Sequence, residues 1–393
     1  MEIIVQKYGG TSVNTEERRE HIAKNAKDAI KNGASPVIVV SAMGRYPSPY
    51  ATDTLLSLIS EGCEDKRLAD MIASCGEIIS AVAVASQLKN AGVPAYALSG
   101  QQAGILTDSN FGEAEIKSID PSRILALINE GYVPVVAGFQ GADEQGSVTT
   151  LGRGGSDTSA TALGAALNAD KVEIYTDVDG IMSADPNVVS EAEIFSEVEY
   201  NDVFLLASSG AKVIHPRAVE YAKKANIEID IINVNKSRDS DHTVIKKNVS
   251  GNKMFNAVTS LSHCVQVKAE CAEIAKQDEM LTKLALAGIS IDMINIFGNK
   301  SVFIINEEKL SELTEILEAV GVGFTAEAGF SKVTAMGEQI HGIPGVMAKM
   351  IASLYANKIE VFQTSDSNKT ISLLVKAENA QNAVNLLHEL IFH

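Results

Sequence analysis

The sequence predicts an α/β protein: a mostly parallel sheet sandwiched by helices, followed by two copies of a smaller α+β module. Three observations carry this. Short apolar runs alternate with helical stretches over the first ~235 residues. Glycine-rich turns sit where those runs end. After residue 255 the rhythm changes, and a repeat of about 70 residues appears.

In chain order, Ile3–Gln6 reads as the first strand. Thr15–Asn32 reads as a helix with Ile22, Ala26 and Ile30 on one face and Gly33 as its stop. Pro36–Ser41 is a continuous apolar run, as expected for a strand buried on both faces. Leu68–Leu88 reads as a helix, Val93–Leu98 as a strand, Arg123–Asn129 as a short helix and Tyr132–Ala137 as a strand. Thr158–Asn168 reads as helical and Lys171–Thr176 as a strand. His215–Asn226 is a helix that leads into the strand Glu228–Val234. In such sheets ligands gather at the carboxyl ends of the strands, where these glycine turns fall.

Residues 236–255 are polar (Lys236, Ser237, Arg238, Asp239, Ser240, Asp241) and read as a linker or exposed hairpin. Beyond them, a shift of 70 places Leu284 on Leu354, Ile289 on Ile359, Ile291 on Val361, Ile316 on Leu386 and Leu317 on Leu387. The turns Gly298-Asn299 and Ser367-Asn368 align to within one residue. Each copy reads helix, strand, turn, strand, helix. The expected organisation is 1–240 for the first domain, 265–330 for module 1 and 331–393 for module 2.

Composition bounds the function. The 393 residues are 46% hydrophobic and 21% charged, ample for a core. The net charge of −17 repels nucleic acid and anionic lipid, so neither is an expected partner. No apolar run approaches the ~18 residues of a membrane span. Met1-Glu2-Ile3-Ile4-Val5 turns polar at once, unlike a secretory leader. Cys63, Cys75, Cys264 and Cys271 form neither a CxxC pair nor a zinc spacing. These features point to a reduced, cytoplasmic protein without a protein-held metal.

Four loops carry the chemistry. Lys7-Tyr8-Gly9-Gly10-Thr11-Ser12 follows a strand and precedes a helix, so its glycines and free amides suit a phosphate. It is not a Walker A loop, because the lysine precedes the glycines. In Thr149–Ser159, glycines flank Arg153 on both sides, and its planar fork suits a carboxylate or phosphate. Asp157 taken alone would serve as a helix cap. Thr176–Pro186 holds three aspartates within nine residues. It lacks the closing glutamate of a calcium loop, and a nucleotide loop fits better. In Ser208–Pro216, Lys212 follows a Ser-Gly turn as a candidate phosphate contact, whereas His215 beside Pro216 reads as helix entry rather than as a base.

Taken together, these loops resemble those of aspartate kinases in the amino-acid kinase superfamily. The resemblance rests on KxGGTS, Val40-Ser41-Ala42-Met43-Gly44, Cys75-Gly76-Glu77, Ala137-Gly138-Phe139-Gln140-Gly141, LGRGGSDTSA, YTDVDGIMSADP and GAKVIHPRA, all in order. The duplicated module resembles the paired, ferredoxin-like ACT domains of that family. The resemblance implies a monofunctional enzyme that transfers the γ-phosphoryl of ATP, with Mg2+, to the side-chain carboxylate of L-aspartate. A carboxylate with a pKa of ~3.9 is already ionised at pH 7, so the nucleophile needs no base. Charge repulsion is the obstacle, and positioning with local positive charge is the remedy.

By the same resemblance, Lys7, Asp157 and Arg153 are the catalytic residues. Lys7, Tyr8, Gly9, Gly10 and Ser41 would hold the phosphates, and Thr176, Asp177, Ser183, Asp185 and Lys212 the rest of ATP. Arg153 would clamp the α-carboxylate of aspartate, with Gly154, Gly155 and Ser156 around it. Glu77 would accept the α-ammonium and Thr52 would hydrogen-bond the substrate. Asp157 would orient Lys7 or that ammonium. Arg45-Tyr46-Pro47-Ser48-Pro49-Tyr50-Ala51 is longer than the usual family link and is a candidate flap.

In the second module the turn Ile343-Pro344-Gly345-Val346-Met347 offers amides to an effector carboxylate, and Gln363 and Asp366 face it in the expected arrangement. The first module has Lys276-Gln277-Asp278-Glu279 in its place. The expected effector is an amino acid such as lysine, threonine or diaminopimelate, bound chiefly by module 2 or between copies. A homodimer or larger assembly is expected. An acetylglutamate or carbamate kinase lacks the ACT pair and LGRGGSDTSA. A non-catalytic sensor would not need Lys7, Arg153, Asp157 and Lys212, and a Rossmann dehydrogenase needs a GxGxxG that is absent. Arg153→Ala should raise the aspartate KM sharply and spare ATP binding in steady-state kinetics; an equal loss of both affinities contradicts the assignment.

Overall fold

The computed structural model describes residues 2–60, 62–211, 213–236, 240–249, 256–337, 340 and 344–392. The chain divides into two compact units. Unit 1 comprises Met1–Ile181, Ile194–Ala207 and Lys212–Gly251. Unit 2 comprises Met182–Glu193, Ser208–Ala211 and Asn252–His393.

The strands of unit 1 are β1 (Glu2–Tyr8), β2 (Ala34–Val40), β3 (Ala95–Leu98), β4 (Ile105–Thr107), β5 (Ile116–Ile119), β6 (Val133–Ala137), β7 (Gln140–Ala142), β8 (Val148–Thr150), β9 (Lys171–Thr176), β10 (Glu197–Glu199), β11 (Glu228–Asn233) and β12 (Thr243–Lys246). Its helices are α1 (Gly10–Val13), α2 (Glu16–Lys31), α3 (Thr52–Leu56), α4 (Lys66–Ala73), α5 (Cys75–Asn90), α6 (Ser122–Asn129), α7 (Gly155–Leu167), α8 (Tyr200–Ser208) and α9 (Pro216–Ala225).

The main sheet runs β10-β12-β11-β9-β1-β2-β6-β3. Every neighbouring pair is parallel except β11 with β12. Val37, Ile38, Val39 and Val40 are fully buried, as a strand covered on both faces requires. Ile38 and Val40 pack with Ile22, Ala26, Val84 and Leu88 from the covering helices. A smaller sheet runs β5-β4-β7-β8. The chain passes from β1 to β2 on one side, and β9 closes on the other side of β1. The topological switch point therefore lies at the carboxyl ends of β1 and β9.

Three local expectations change. The buried face of α2 is Ile22, Ala23, Ala26 and Ala29, while Ile30 is 45% exposed. Ile30 lies only ~40° from Ala26 around the helix, so phase keeps it near that face, and its place in the last turn of α2 leaves it exposed. The expected helix 68–88 is two helices broken at Ser74, whose hydroxyl donates back to the carbonyl of Met71 at 2.8 Å. The side chain of Gln140 donates to the carbonyl of Ser74 at 2.8 Å and fills the break. By length and composition alone Lys66–Asn90 would suit a bilayer, contrary to the reading of short apolar runs, but half of it is buried inside the protein.

Unit 2 holds β13 (Ala257–Glu270), α10 (Ile274–Leu286), β14 (Asp292–Phe297), β15 (Lys300–Asn306), α11 (Leu310–Val320), β16 (Gly323–Met336), α12 (Val346–Ala356), β17 (Gln363–Asp366), β18 (Thr370–Lys376) and α13 (Ala380–Phe392). Its sheet is antiparallel, in the order β14-β15-β13-β16-β18-β17. The repeat seen in the sequence is two packing centres: Leu284 and Leu317 in one, Leu354 and Leu387 in the other. The modules share their central strands. Cys264–Glu270 of β13 pairs with β15, and Phe330–Met336 of β16 pairs with β18. A register shift between Leu261 and Cys264, with His263 at φ 59°, turns β13 from one module to the other. The expected boundary after residue 330 thus falls inside β16.

Met182–Glu193 joins the core of module 2 through Ala184 and Val189. Ser183 is fully buried, its hydroxyl 2.9 Å from His388 Nε2 and accepting from the Glu193 amide at 2.9 Å. Ser183→Ala should lower the stability of unit 2 by ~1–3 kcal/mol in denaturant melts, because buried His388 and the Glu193 amide lose a hydrogen-bond partner. The same variant should leave the KM for ATP unchanged.

Candidate active site

The first loop is fixed by close backbone approach. A Cβ on Gly10 would lie 2.4 Å from the carbonyl oxygen of Ala42, so no other residue fits. Gly44 donates to the carbonyl of Gly10 at 3.1 Å, and Ser41 to that of Tyr8 at 3.1 Å. The turns leaving β1 and β2 are therefore tied together. Tyr8 presents only backbone there, because its buried ring stacks on Tyr175 at 4.5 Å. Lys7 Nζ lies 2.5 Å from Asp157 Oδ1, with side chains 12% and 13% exposed. Asp157 stands in the first turn of α7, where the helix end favours a carboxylate.

The arginine loop leaves β8 and enters α7. Gly152 (φ 72°) and Gly154 (φ 64°) adopt left-handed conformations on either side of exposed Arg153. A Cβ on Gly154 would meet that of His215 at 2.3 Å. Ser156 is buried. His215 caps α9, its Nδ1 accepting from the Arg217 amide at 3.4 Å. Burial first, then the Arg217 charge, lower its pKa, while Asp157 acts in the opposite sense. Sequence reasoning overlooked Phe139, a bulky residue held at φ 69° whose amide donates to Ser159 Oγ at 2.9 Å. Such strain is characteristic of functional rims. Its only sequence signal was the position between two glycines.

Glu77 is 2% exposed on α5. One carboxyl oxygen accepts from the Ala42 amide at 3.0 Å, and the other has no hydrogen-bond partner among the described residues. Burial pushes its pKa up to about 8, against the backbone hydrogen bond. A Cβ on Gly76 would touch that of Ala42 at 2.7 Å and the Tyr50 carbonyl at 2.9 Å, so the 45–51 segment lies against the start of α5. Thr52 opens α3 and is half-buried. From the same segment, Arg45 pairs with Asp177 at 3.6 Å in full exposure to solvent, a weak contact.

The third loop divides. Thr176 and Asp177 follow β9 at the switch point. Asp179 is held by Asn233 at 2.7 Å and Lys236 at 2.8 Å, and both lower its pKa. Ser183 and Asp185, expected beside ATP, belong to unit 2. The Ser183 hydroxyl is occupied by His388 and the Glu193 amide, and Asp185 accepts from the Asn187 amide at 2.9 Å in a turn. The Ser183 hydroxyl is thereby engaged within unit 2, while Asp185 stays exposed. Lys212 lies outside the described residues.

Of the expected effector residues, Ile343 lies outside the described residues. Gly345 (φ 93°) caps α12 after Pro344, and Val346 and Met347 pack on the core of module 2. Gln363 does not face that turn. It is buried, donates to the Met293 carbonyl and accepts from Gln266 Nε2 at 2.9 Å, which ties β17 to module 1. Asp366 is exposed at the end of β17. Among the described residues no group of three or more His, Cys, Asp or Glu converges on a metal position.

Comparisons with known proteins place the chain in a family. A model of the amino acid kinase family matches residues 2–233, and an ACT domain matches residues 325–389. Aspartokinase 1 of Bacillus subtilis (strain 168) is 41% identical over 399 residues, covering 99% of this chain and 98% of that one. The aspartokinase of Geobacillus stearothermophilus is 38% identical, covering 99% and 97%. The crystal structure of E. coli aspartokinase III in complex with aspartate and ADP shares the fold over 100% of both chains, with a TM-score of 0.87 at 24% identity.

The raised pKa of Glu77 fixes a pH dependence. The folded protein favours the neutral carboxyl, whereas the unfolded chain ionises near 4.5. Stability is therefore fully present below about 4.5 and is lost as pH rises through about 8. Between pH 4.5 and 8 the wild type should lose a few kcal/mol that Glu77→Gln does not lose. Parallel denaturant melts across that range check this, and identical slopes contradict it.

Proposed function

We propose, for a chain that belongs to the aspartokinases of the amino acid kinase family, that it converts L-aspartate and MgATP to 4-phospho-L-aspartate and ADP. The enzyme is an ATP-dependent phosphotransferase with a carboxyl acceptor. An oxygen of the β-carboxylate attacks the γ-phosphorus. The bond from that phosphorus to the β,γ-bridging oxygen breaks, and its electron pair leaves with ADP. No proton moves, because the β-carboxylate is already ionised at neutral pH. His215 is occupied as a helix cap.

The observation that carries the reading is the Lys7–Asp157 pair at the switch point. Lys7, with the turn at Gly9 and Gly10 and the floor at Ser41, neutralises the phosphates. Asp157 orients the Lys7 ammonium at 2.5 Å and needs no role as a base. Thr176 and Asp177 hold the nucleotide from β9. Arg153 grips the α-carboxylate of aspartate as a bidentate pair, with Gly154, Gly155 and Ser156 shaping the turn. The unpartnered oxygen of Glu77 suits the α-ammonium, because an approaching cation supplies the charge that burial withholds. Thr52 adds a substrate hydrogen bond. Magnesium enters as the companion of the ATP phosphates rather than in a cage of protein side chains.

In this reading the product feeds lysine, threonine, methionine and diaminopimelate biosynthesis in the cytoplasm. The ACT modules bind an amino-acid effector, with the Pro344–Met347 turn and Asp366 as the contacts in module 2, and the enzyme works as a homodimer or larger assembly. One solved relative in fold, E. coli aspartokinase III, has been crystallised with lysine and aspartate. The decisive assay is acyl-phosphate trapping as the hydroxamate with aspartate against glutamate derivatives, repeated with lysine, threonine and diaminopimelate singly and in pairs. Lys7→Ala should lower kcat by ~10²–10³-fold, and near-normal turnover refutes its role.

A further inference from the structure

Outside the groups used above, one buried carboxylate stands out. Asp70 on α4 is 2% exposed. Its Oδ2 accepts from the Thr150 amide at 2.7 Å and the Gly112 amide at 3.0 Å, and its Oδ1 accepts from the Thr150 hydroxyl at 2.7 Å. A carboxylate taken this far from water is costly unless its oxygens are filled, and here three donors fill them. Those donors belong to the two strips of chain that frame the arginine loop.

Thr150 is the last residue of β8, three before Arg153. Its carbonyl accepts from Ala114 at 2.9 Å. Gly112 lies against the other side: a Cβ on Gly152 would sit 3.1 Å from the Gly112 carbonyl. One side chain therefore fixes both the root of the loop and the wall on which its first glycine rests. Leu151 is held in turn, its amide donating to Phe139 at 2.9 Å and its carbonyl accepting from Arg217 at 3.3 Å. The chain is hydrogen-bonded at Thr150 and Leu151, and the turn that carries Arg153 starts at Gly152 (φ 72°).

We propose that Asp70 is a positioning residue for the amino-acid substrate: it anchors Thr150 and Gly112 so that Arg153 projects at a fixed height to meet the substrate carboxylate. The inference rests on the reading of Arg153 as the carboxylate clamp. Asp70 touches no substrate. Its effect is confined to the arginine loop, while the Lys7–Gly10 and Thr176–Asp177 loops hang from other strands.

The test compares four variants by steady-state kinetics and thermal melts. Asp70→Ala, which removes all three acceptor contacts, should raise the aspartate KM by about ten- to a hundredfold and leave the KM for ATP within about twofold. Asp70→Asn should largely restore it, because its oxygen still takes both amides and its NH2 donates to the Thr150 hydroxyl. Thr150→Val, which keeps the amide contact and loses the hydroxyl, should give a smaller rise of the same kind and keeps the test open if Asp70→Ala does not fold. A merely structural role would lower the melting temperature and the active fraction without separating the two KM values. If Arg153→Ala raises the aspartate KM and the Asp70 and Thr150 variants do not, the inference alone fails. If Arg153→Ala does not raise it, the clamp assignment fails and the inference falls with it.

Discussion

Two anions must come within bonding distance inside a chain that itself carries −17, and like charges at such a distance repel strongly wherever water is thin. The architecture of unit 1 answers that constraint. One positive charge, that of Lys7, stands at the carboxyl ends of β1 and β9. Lys7 is held there by Asp157, so a long and flexible side chain arrives already oriented. The ammonium of a mobile lysine would have to be ordered during the reaction. The pair performs that ordering during folding.

Beneath this point lies a buried polar network that keeps the strand ends in place. Gln6 donates to Glu173 at 2.9 Å, and Tyr175 donates to the same carboxylate at 3.0 Å. Lys171 lies 3.3 Å from Glu173 and 2.6 Å from Asp230. These residues occupy β1, β9 and β11, three neighbouring strands, and the stacked rings of Tyr8 and Tyr175 close the top. In a low-dielectric interior a network of this kind rigidifies when every member is satisfied and is costly when one is not. It gives the glycine turns above a stiff platform, which flexible loops could not provide for themselves.

Unit 2 solves a different problem. Each module alone has a small sheet and a helix pair, too little surface to bury comfortably. By sharing β13 and β16, the two modules form one continuous sheet and one hydrogen-bonded edge between them. The link from Gln266 through Gln363 to Met293 adds a direct tie from one module to the other. Met182–Glu193 completes the second core, so module 2 is assembled from distant parts of the chain.

Most of the secondary structure and the residue types of the expected site are readable in the sequence, because they depend on local signals. A glycine pair after an apolar run, an arginine between glycines and a 70-residue echo of leucines need only their neighbours to be recognised. Ile30 shows that helix phase alone does not settle burial: it lies near the apolar face of α2 but in the helix's last turn, where it stays exposed. Ser183 and Asp185 part from the start of their motif in the unit they join. Membership of a continuous motif says nothing about which core a segment enters, and here the motif is cut after Ile181. Gln363 likewise looked like a ligand contact and is spent on a structural bridge. The sequence by itself determined the fold class, the duplication and the kinds of charge that the site would need. Only the tertiary structure decided that Asp70 reaches Thr150 across 80 residues, that one Glu77 oxygen has no partner among the described residues and that Ser183 meets His388. Burial and long-range pairing are properties of surfaces brought together in space, and no local pattern encodes them.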